Sequence, residues 1–349
     1  MPEYSYVLNC YRVAFRQAKI EPLGAAGGMS GARFWRITGS QDLYVLRRWP
    51  SEHPATYQLQ FIHDVLSHAV QKGVTYLPLP IATNDGQTFV SHDRHLWELA
   101  PWLPGAANYH ESPSANKLRS ALIALAKFHE ATKDFELHPG RSDESIAQVP
   151  VESGPAPGII RRLERLHELQ AAGAAPLKRA IAAADWPELA HAAHQFVELL
   201  PKAVPLATSL LTPLAEVPFV VQPCLRDVWH DHVLFVDNEV TGLIDFGAVA
   251  IDTPAVDVAR LLGSLAVDDA GEWQRGLEAY ATIRPFSADE LRAVAALDAS
   301  STVLAGCNWI RWVFVENRQF DDREQVGRRL ALLLDRLQRL VQKNASSIQ

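Results

Sequence analysis

Cysteine, long apolar runs and excess positive charge are all scarce in this chain, and each shortage removes a class of protein. Among 349 residues there are three cysteines, Cys10, Cys224 and Cys307, scattered and without CxxC spacing. That excludes a disulfide framework or a zinc module built on paired cysteines, and reduced thiols point to a cytoplasmic setting. No apolar stretch approaches the roughly 18 residues of a membrane span. The opening MPEYSYVLNCYRVAF lacks the basic and apolar regions of a signal peptide. A formal charge of −7 disfavours nonspecific binding to nucleic acid. Neither nucleic acid nor a membrane is therefore expected as a partner. No GxxxxGK[ST] occurs, so a Walker-type phosphate loop is not supported.

What is present concentrates between Leu225 and Gly247, LRDVWHDHVLFVDNEVTGLIDFG. The spacing predicts a loop, a strand from Val233 to Val236, a tight Asp237-Asn238-Glu239 turn and a second strand from Val240 to Ile244. In such a hairpin the residue before the first strand and the residue after the second share the open end. His232 and Asp245 then sit on neighbouring strands about 5 Å apart, with Asp227 one loop away. Two carboxylates and an imidazole converging there can hold a metal or move a proton.

The first hundred residues mix sheet and helix. A glycine-bearing turn in Gly27 to Gly39 leads into a strand, and Asp42 to Trp49 reads as another. Leu59, Ile62, Leu66 and Val70 recur at helical spacing within Ala55 to Lys72. Asn84-Asp85-Gly86 marks a hairpin turn between extended runs. Pro101, Pro104 and Gly105 then break the chain, which sets a boundary between residues 1–103 and 104–349. Beyond it, helices are expected at Asn116 to Thr132, Ile159 to Gln170, Pro187 to Leu200 and Asp322 to Lys343, with a Pro/Gly/Ser-rich loop or flap between Pro139 and Gly158. Ser287 to Glu290 is a helix-start capping box.

In this order the motifs resemble the aminoglycoside phosphotransferase and choline kinase-like family. The resemblance implies an α+β, bilobal protein-kinase-like fold. A small antiparallel β-sheet N-lobe with one helix would precede a larger, mainly helical C-lobe carrying the catalytic hairpin. Gly28, Ser30 and Gly31, followed by Phe34, look like the family's phosphate-covering loop; Arg47 stands where a strand Lys or Arg binds phosphate. Trp97 to Gly105 resembles the interlobe linker, in which the backbone of Glu98, Leu99 and Ala100 would hold the adenine. Leu125 to His129 resembles the family's "LarLH" helix, and Asp252 to Ala259 the stretch that supports the catalytic loop through Asp257. Asp227 stands at the catalytic aspartate and Asp245 at the metal-binding aspartate. The implied cofactors are ATP and magnesium, with manganese as an alternative, and the implied partner is a small-molecule hydroxyl substrate; oligomeric state stays open.

Three positions depart from the family pattern. Its His-Gly-Asp reads Leu225-Arg226-Asp227, which sets a cation beside the aspartate. Its second metal ligand, an Asn five residues after the catalytic Asp, is His232, with Asp231 as a neighbouring oxygen ligand. Magnesium prefers hard oxygens and imidazole suits softer metals. So either His232 stays off the metal, or it binds manganese, or the protein acts chiefly as a nucleotide or ligand binder. The helix Glu that pairs with the strand cation has no clear counterpart; Gln58 aligns best, with His63 and Asp64 as alternatives. For the acceptor, Tyr109, Trp309, Arg311 and Trp312 are candidate lining residues, and Asp134, Glu136 and the aspartates at 321–322 are acidic groups that could attract amines.

Overall fold

Short alternating segments near the start of the chain form a five-stranded antiparallel sheet, because each contributes alternate side chains to a shared core. The computed structural model describes residues 2–11, 18–24, 31–39, 42–136, 153–183, 186–320 and 322–346. After helix α1 (Glu3–Leu8) come β1 (Lys19–Gly24), β2 (Arg33–Thr38), β3 (Leu43–Arg48), α2 (Thr56–Gln71), β4 (Val90–His92), β5 (His95–Pro101) and α3 (Ala115–Thr132). Then follow α4 (Pro157–Ala172), α5 (Ala175–Ala182), α6 (Pro187–Leu211), β6 (Gln222–Cys224), β7 (Val233–Val236), β8 (Glu239–Leu243) and β9 (Ala250–Asp252). Helices α7 (Ala255–Leu265), α8 (Ala270–Ala281), α9 (Ala288–Ile310) and α10 (Arg323–Ser346) complete the order. These elements fall into two units. One takes Met1–Val151, Leu225–Ala250 and Arg275–Arg284; the other takes Glu152–Cys224, Ile251–Gln274 and Pro285–Gln349.

In the first unit the sheet order is β1-β2-β3-β5-β4. Side chains alternate between its faces. One face carries Ile37, Leu46, Trp97 and Leu99, which pack with Val7 and Leu8 of α1. Arg48 shares that face and ties down α1 through Glu3 at 2.5 Å. The other face carries a lateral row, Phe34 in β2, Arg47 in β3 and Glu98 in β5, set directly opposite one another by the register. The β7–β8 hairpin belongs to this unit and is anchored by reciprocal backbone bonds between Ala106 and Phe235.

The second unit is mainly helical. Its core includes Phe196 of α6, whose ring fills the space beside Gly306 of α9: a Cβ there would lie 2.0 Å from the ring. Buried Asp252 accepts the backbone N–H of Gly158 at 2.9 Å, satisfying one of the free amides at the start of α4. Arg336 of α10, buried, reaches Asp298 of α9 at 2.7 Å.

Two expectations change. Asn84-Asp85-Gly86 does form a turn, with Gly86 at φ 81°, but its flanks do not pair as strands; Thr83 bridges Tyr11 instead. The hairpin lies just beyond, between β4 and β5, where Asp93 and Arg94 have φ 49° and 62° and His92 faces His95. A two-residue loop with both central residues at positive φ favours Asn-Gly, so Asp-Arg carried no visible signal. The helix expected to end at Leu200 continues to Leu211 through Pro201 and Pro205. Packing of its apolar face, with Ala203, Val204, Ala207 and Leu211 buried, overrides the two missing amide donors. No helix among the described residues is long and apolar enough to cross a membrane.

Candidate active site

Arg47 occupies the centre of its sheet face because β3 alternates, and its guanidinium is enclosed by aromatic rings. Its Cζ lies 3.3 Å from the ring centroid of Trp49 and 5.2 Å from that of Phe34. Arginine suits this stacking because the planar cation meets the negative ring faces. On its edges stand two carboxylates. Nη2 donates to Asp245 Oδ1 at 3.2 Å, and Nη1 lies 4.0 Å from Glu98 Oε1. Its Nε has no hydrogen-bond partner among the described residues. Glu98 in turn is bonded through Oε2 to His63 Nε2 at 2.7 Å, and His63 Nδ1 contacts Thr88 Oγ1 at 2.7 Å. Because a carboxylate only accepts, His63 carries its proton on Nε2, and the Thr88 hydroxyl donates to Nδ1 when the ring is neutral. Burial works to raise the pKa of Glu98, but the His63 bond and the neighbouring charges of His63 and Arg47 outweigh it and hold it below the ordinary value.

The hairpin exit supplies the second cluster. Asp245 follows β8 in a left-handed conformation, φ 62°, which turns its carboxylate back towards Arg47. Burial opposes its ionisation; the Arg47 charge and hydrogen bond, with the Gly247 amide, prevail and keep it ionised to lower pH than usual. His232 ends a short helical turn before β7, and its carbonyl accepts the Ile244 N–H at 3.0 Å. Its Nε2 stands 3.7 Å from Asp245 Oδ2, so the open end of the hairpin does bring this pair together. Both ring nitrogens are nevertheless engaged. Trp229 donates its indole N–H to Nε2 at 2.8 Å, and Nδ1 lies 2.8 Å from the carbonyl oxygen of Asp227. An indole nitrogen can only donate, so Nε2 accepts and Nδ1–H donates to Asp227, which fixes one neutral tautomer. Arg226, just before Asp227, has φ 63° and bends the loop sharply there.

Of the phosphate-loop candidates, Gly28 and Ser30 lie outside the described residues; Gly31 is described, with φ 78°. Glu98, Leu99 and Ala100 lie within β5, opposite Arg47, Leu46 and Val45, and the Leu99 carbonyl accepts the Ile81 N–H at 2.8 Å. Gln58 accepts the Ala55 N–H at 2.9 Å, and Asp64 accepts from Gln60 at 2.8 Å. His129 is fully buried and bonds the Tyr280 hydroxyl at 2.8 Å. Trp309 and Trp312 pack edge to face at 5.4 Å, with Arg318 over Trp312 and Glu316 ion-paired with Arg311. Asp134 is bridged by Lys72 and His68, whose hydrogen bonds, that of Lys72 foremost, lower its pKa to about 2. Sequence reasoning missed the Trp229 cap and the placement of the Glu98 side chain beside Arg47. Only strand register places Glu98 beside Arg47, and register is not written in a single strand.

A buried cation on a small antiparallel sheet, met by an acidic hairpin exit, belongs to a protein-kinase-like fold. Spectinomycin phosphotransferase, solved with ADP and spectinomycin, superposes with a TM-score of 0.69 at 12% identity, covering 97% of this chain and 98% of that one. A microcompartment-associated aminopropanol kinase gives 0.66 at 15% identity, covering 97% and 96%. Residues 21–297 match the Phosphotransferase enzyme family, and the chain belongs to that family. Homoserine kinase of Burkholderia mallei is 27% identical over 294 residues, 80% of this chain and 75% of the relative. That of Burkholderia thailandensis is 26% identical over the same length. Family and relatives together support a small-molecule kinase.

Proposed function

We propose that the protein transfers the γ-phosphoryl group of ATP to a hydroxyl of a small molecule of the amino-alcohol, homoserine, aminoglycoside or sugar class. Residues 1–103 are assigned the nucleotide and residues 104–349 the acceptor and catalytic groups. The observation that carries this reading is the contact of Arg47 with Asp245, a phosphate-type cation beside an ionised carboxylate at the hairpin exit. Asp227 would orient the acceptor hydroxyl and accept its proton. Arg47 would hold phosphate oxygens through donors in a fixed planar fork. The donor chemistry fits one divalent ion, magnesium or manganese, on the hard oxygens of Asp245, completed by water and nucleotide phosphates. Such an ion would offset phosphate charge during transfer. His232 does not fit as a ligand in its present hydrogen-bonded state, since its acceptor nitrogen is taken by Trp229. The protein's own contribution is positioning: α2 and β5 fix Arg47, and the loop from Arg226 to His232 fixes Asp227.

A second reading, a nucleotide- or metabolite-binding module without turnover, is favoured by one feature. His232, at the family's second metal-ligand position, has its acceptor nitrogen engaged by Trp229. Purified protein with ATP, magnesium or manganese, and a panel of amino alcohols, homoserine, sugars and aminoglycosides separates the two. Phosphate transfer above an Asp227→Asn control supports the kinase. Stabilisation by ATP in a thermal-shift titration without any transfer supports the binding module.

A further inference from the structure

Arg47 has two carboxylate neighbours, and they differ in what a bound nucleotide would leave to each. A cation on Asp245 would compete with Arg47, whose Nη2 donates to Oδ1 of that carboxylate. Glu98 is then the neighbour that remains, and it sits 4.0 Å from Nη1 in a buried row across the sheet. A carboxylate with one oxygen directed at a guanidinium can still rotate about its last bond unless its second oxygen is held. That second oxygen is held by His63 at 2.7 Å, and the ring of His63 is itself held by Thr88. His63 is 2% exposed, so water does not compete for either bond.

The remaining polar candidates on α2 are accounted for. Gln58 caps the start of the helix and Asp64 binds Gln60 one turn earlier. His63 links α2 to the carboxylate beside Arg47 through its imidazole. Helix α2 is itself tied to the segment after α3 by the edge-to-face contact of Phe61 with Phe135 at 5.8 Å. Movement of the helix would be felt at Glu98 through His63.

We propose that His63 is the positioning residue through which α2 sets Arg47 for the nucleotide's phosphates, by fixing the Glu98 carboxylate that steadies the guanidinium. This deepens the phosphotransferase reading and rests on Arg47 meeting phosphate. The chain thus splits one task between two elements: the negative charge comes from β5 and the orientation from α2. An imidazole donor is suited to it, because a second carboxylate beside Glu98 would repel it in a buried site.

The test separates phosphate from base recognition. Isothermal titration of ATP with magnesium, and of adenosine alone, is run on the wild-type protein and on His63→Leu, His63→Gln and Thr88→Val. His63→Leu removes the donor at similar volume and is expected to weaken ATP tenfold or more while adenosine stays within twofold. His63→Gln, which restores a side-chain N–H, should recover most of that loss. Thr88→Val, which leaves His63 in place but unsupported, should weaken ATP about threefold; it serves if His63→Leu fails to fold. ATP binding unchanged in folded His63→Leu, or in Thr88→Val if that variant alone folds, overturns the proposal. So does an equal loss for ATP and adenosine, the mark of a merely structural role. If the wild-type protein binds neither, the phosphotransferase reading itself falls and takes the relay with it, an outcome visible before any variant is made.

Discussion

Trp229 donates its indole N–H to Nε2 of His232 at 2.8 Å, which turns the most divergent position of the site into a capped one. The imidazole stands only 3.7 Å from Asp245, yet its lone pair points to a tryptophan. Removing the cap should release a soft ligand beside a hard one. Trp229→Phe keeps most of the ring packing and is expected to tighten manganese or cobalt about tenfold while leaving magnesium unchanged, because imidazole favours the later metals. Titration calorimetry, or the loss of the free manganese signal in electron paramagnetic resonance, reads the change. A His232→Ala partner variant should erase the gain; equal manganese affinity in Trp229→Phe and wild type would count against the cap.

Asp245 is the carboxylate on which transfer should depend. Its left-handed backbone makes asparagine a better replacement than alanine, since Asn tolerates positive φ at little cost. Asp245→Asn is therefore expected to fold, with a melting temperature within a few degrees of wild type. It should also lose at least about a hundredfold in phosphate transfer, roughly 2.7 kcal/mol of barrier. Removal of divalent metal with a chelator should produce the same loss in the wild-type protein and none further in the variant. Full activity in Asp245→Asn would exclude the proposed role.

The structural elements whose signals are local are legible in the sequence. The β7–β8 hairpin follows from two apolar runs and a turn, and the Ser287 capping box is realised by the bond from Glu290 N–H to the Ser287 hydroxyl at 3.1 Å. What stayed hidden is non-local. For the partner of Arg47 the sequence offers three polar residues on α2, whereas strand register sets the charge on β5, 51 positions later. The Trp229 cap carries no sequence signal, because the tautomer it imposes on His232 depends on a turn that brings two residues three apart edge to ring. The hairpin at Asp93-Arg94 was missed because positive φ was reached without glycine or asparagine.

Glu98 should leave a mark on the acid limb of the stability curve. Its folded pKa is lowered, so its contribution to stability is complete above the ordinary carboxylate value of 4.5 and is lost as pH falls through the lower folded value. Denaturant unfolding between about pH 3 and 6 should therefore show stability falling with acid more steeply in the wild type than in Glu98→Gln. The glutamine variant starts from lower stability at neutral pH, since Arg47 loses one of its counter-charges. Parallel curves for the two proteins would show that the group does not titrate differently on folding.

Gly105, in the segment that follows β5, tests how tightly that segment is held against the hairpin. It has φ 98°, and a Cβ there would stand 2.5 Å from Thr241 Oγ1 and 2.7 Å from the carbonyl oxygen of Phe235. The first clash involves a side chain that also donates to the Pro104 carbonyl at 2.7 Å; the second involves backbone of β7 and cannot be relieved by a rotamer change. Gly105→Ala thus adds both left-handed strain and overpacking, each costing on the order of 1–3 kcal/mol. A fall in the melting temperature of several degrees is expected, together with weaker protection from hydrogen exchange at Ala106 and Phe235, whose backbone bonds join the two segments. Adding Thr241→Ala should recover only part of the loss, because the Phe235 carbonyl remains in the way. Complete recovery would place the strain in the side chain alone, and an unchanged melting temperature in Gly105→Ala would mean that the segment yields without cost.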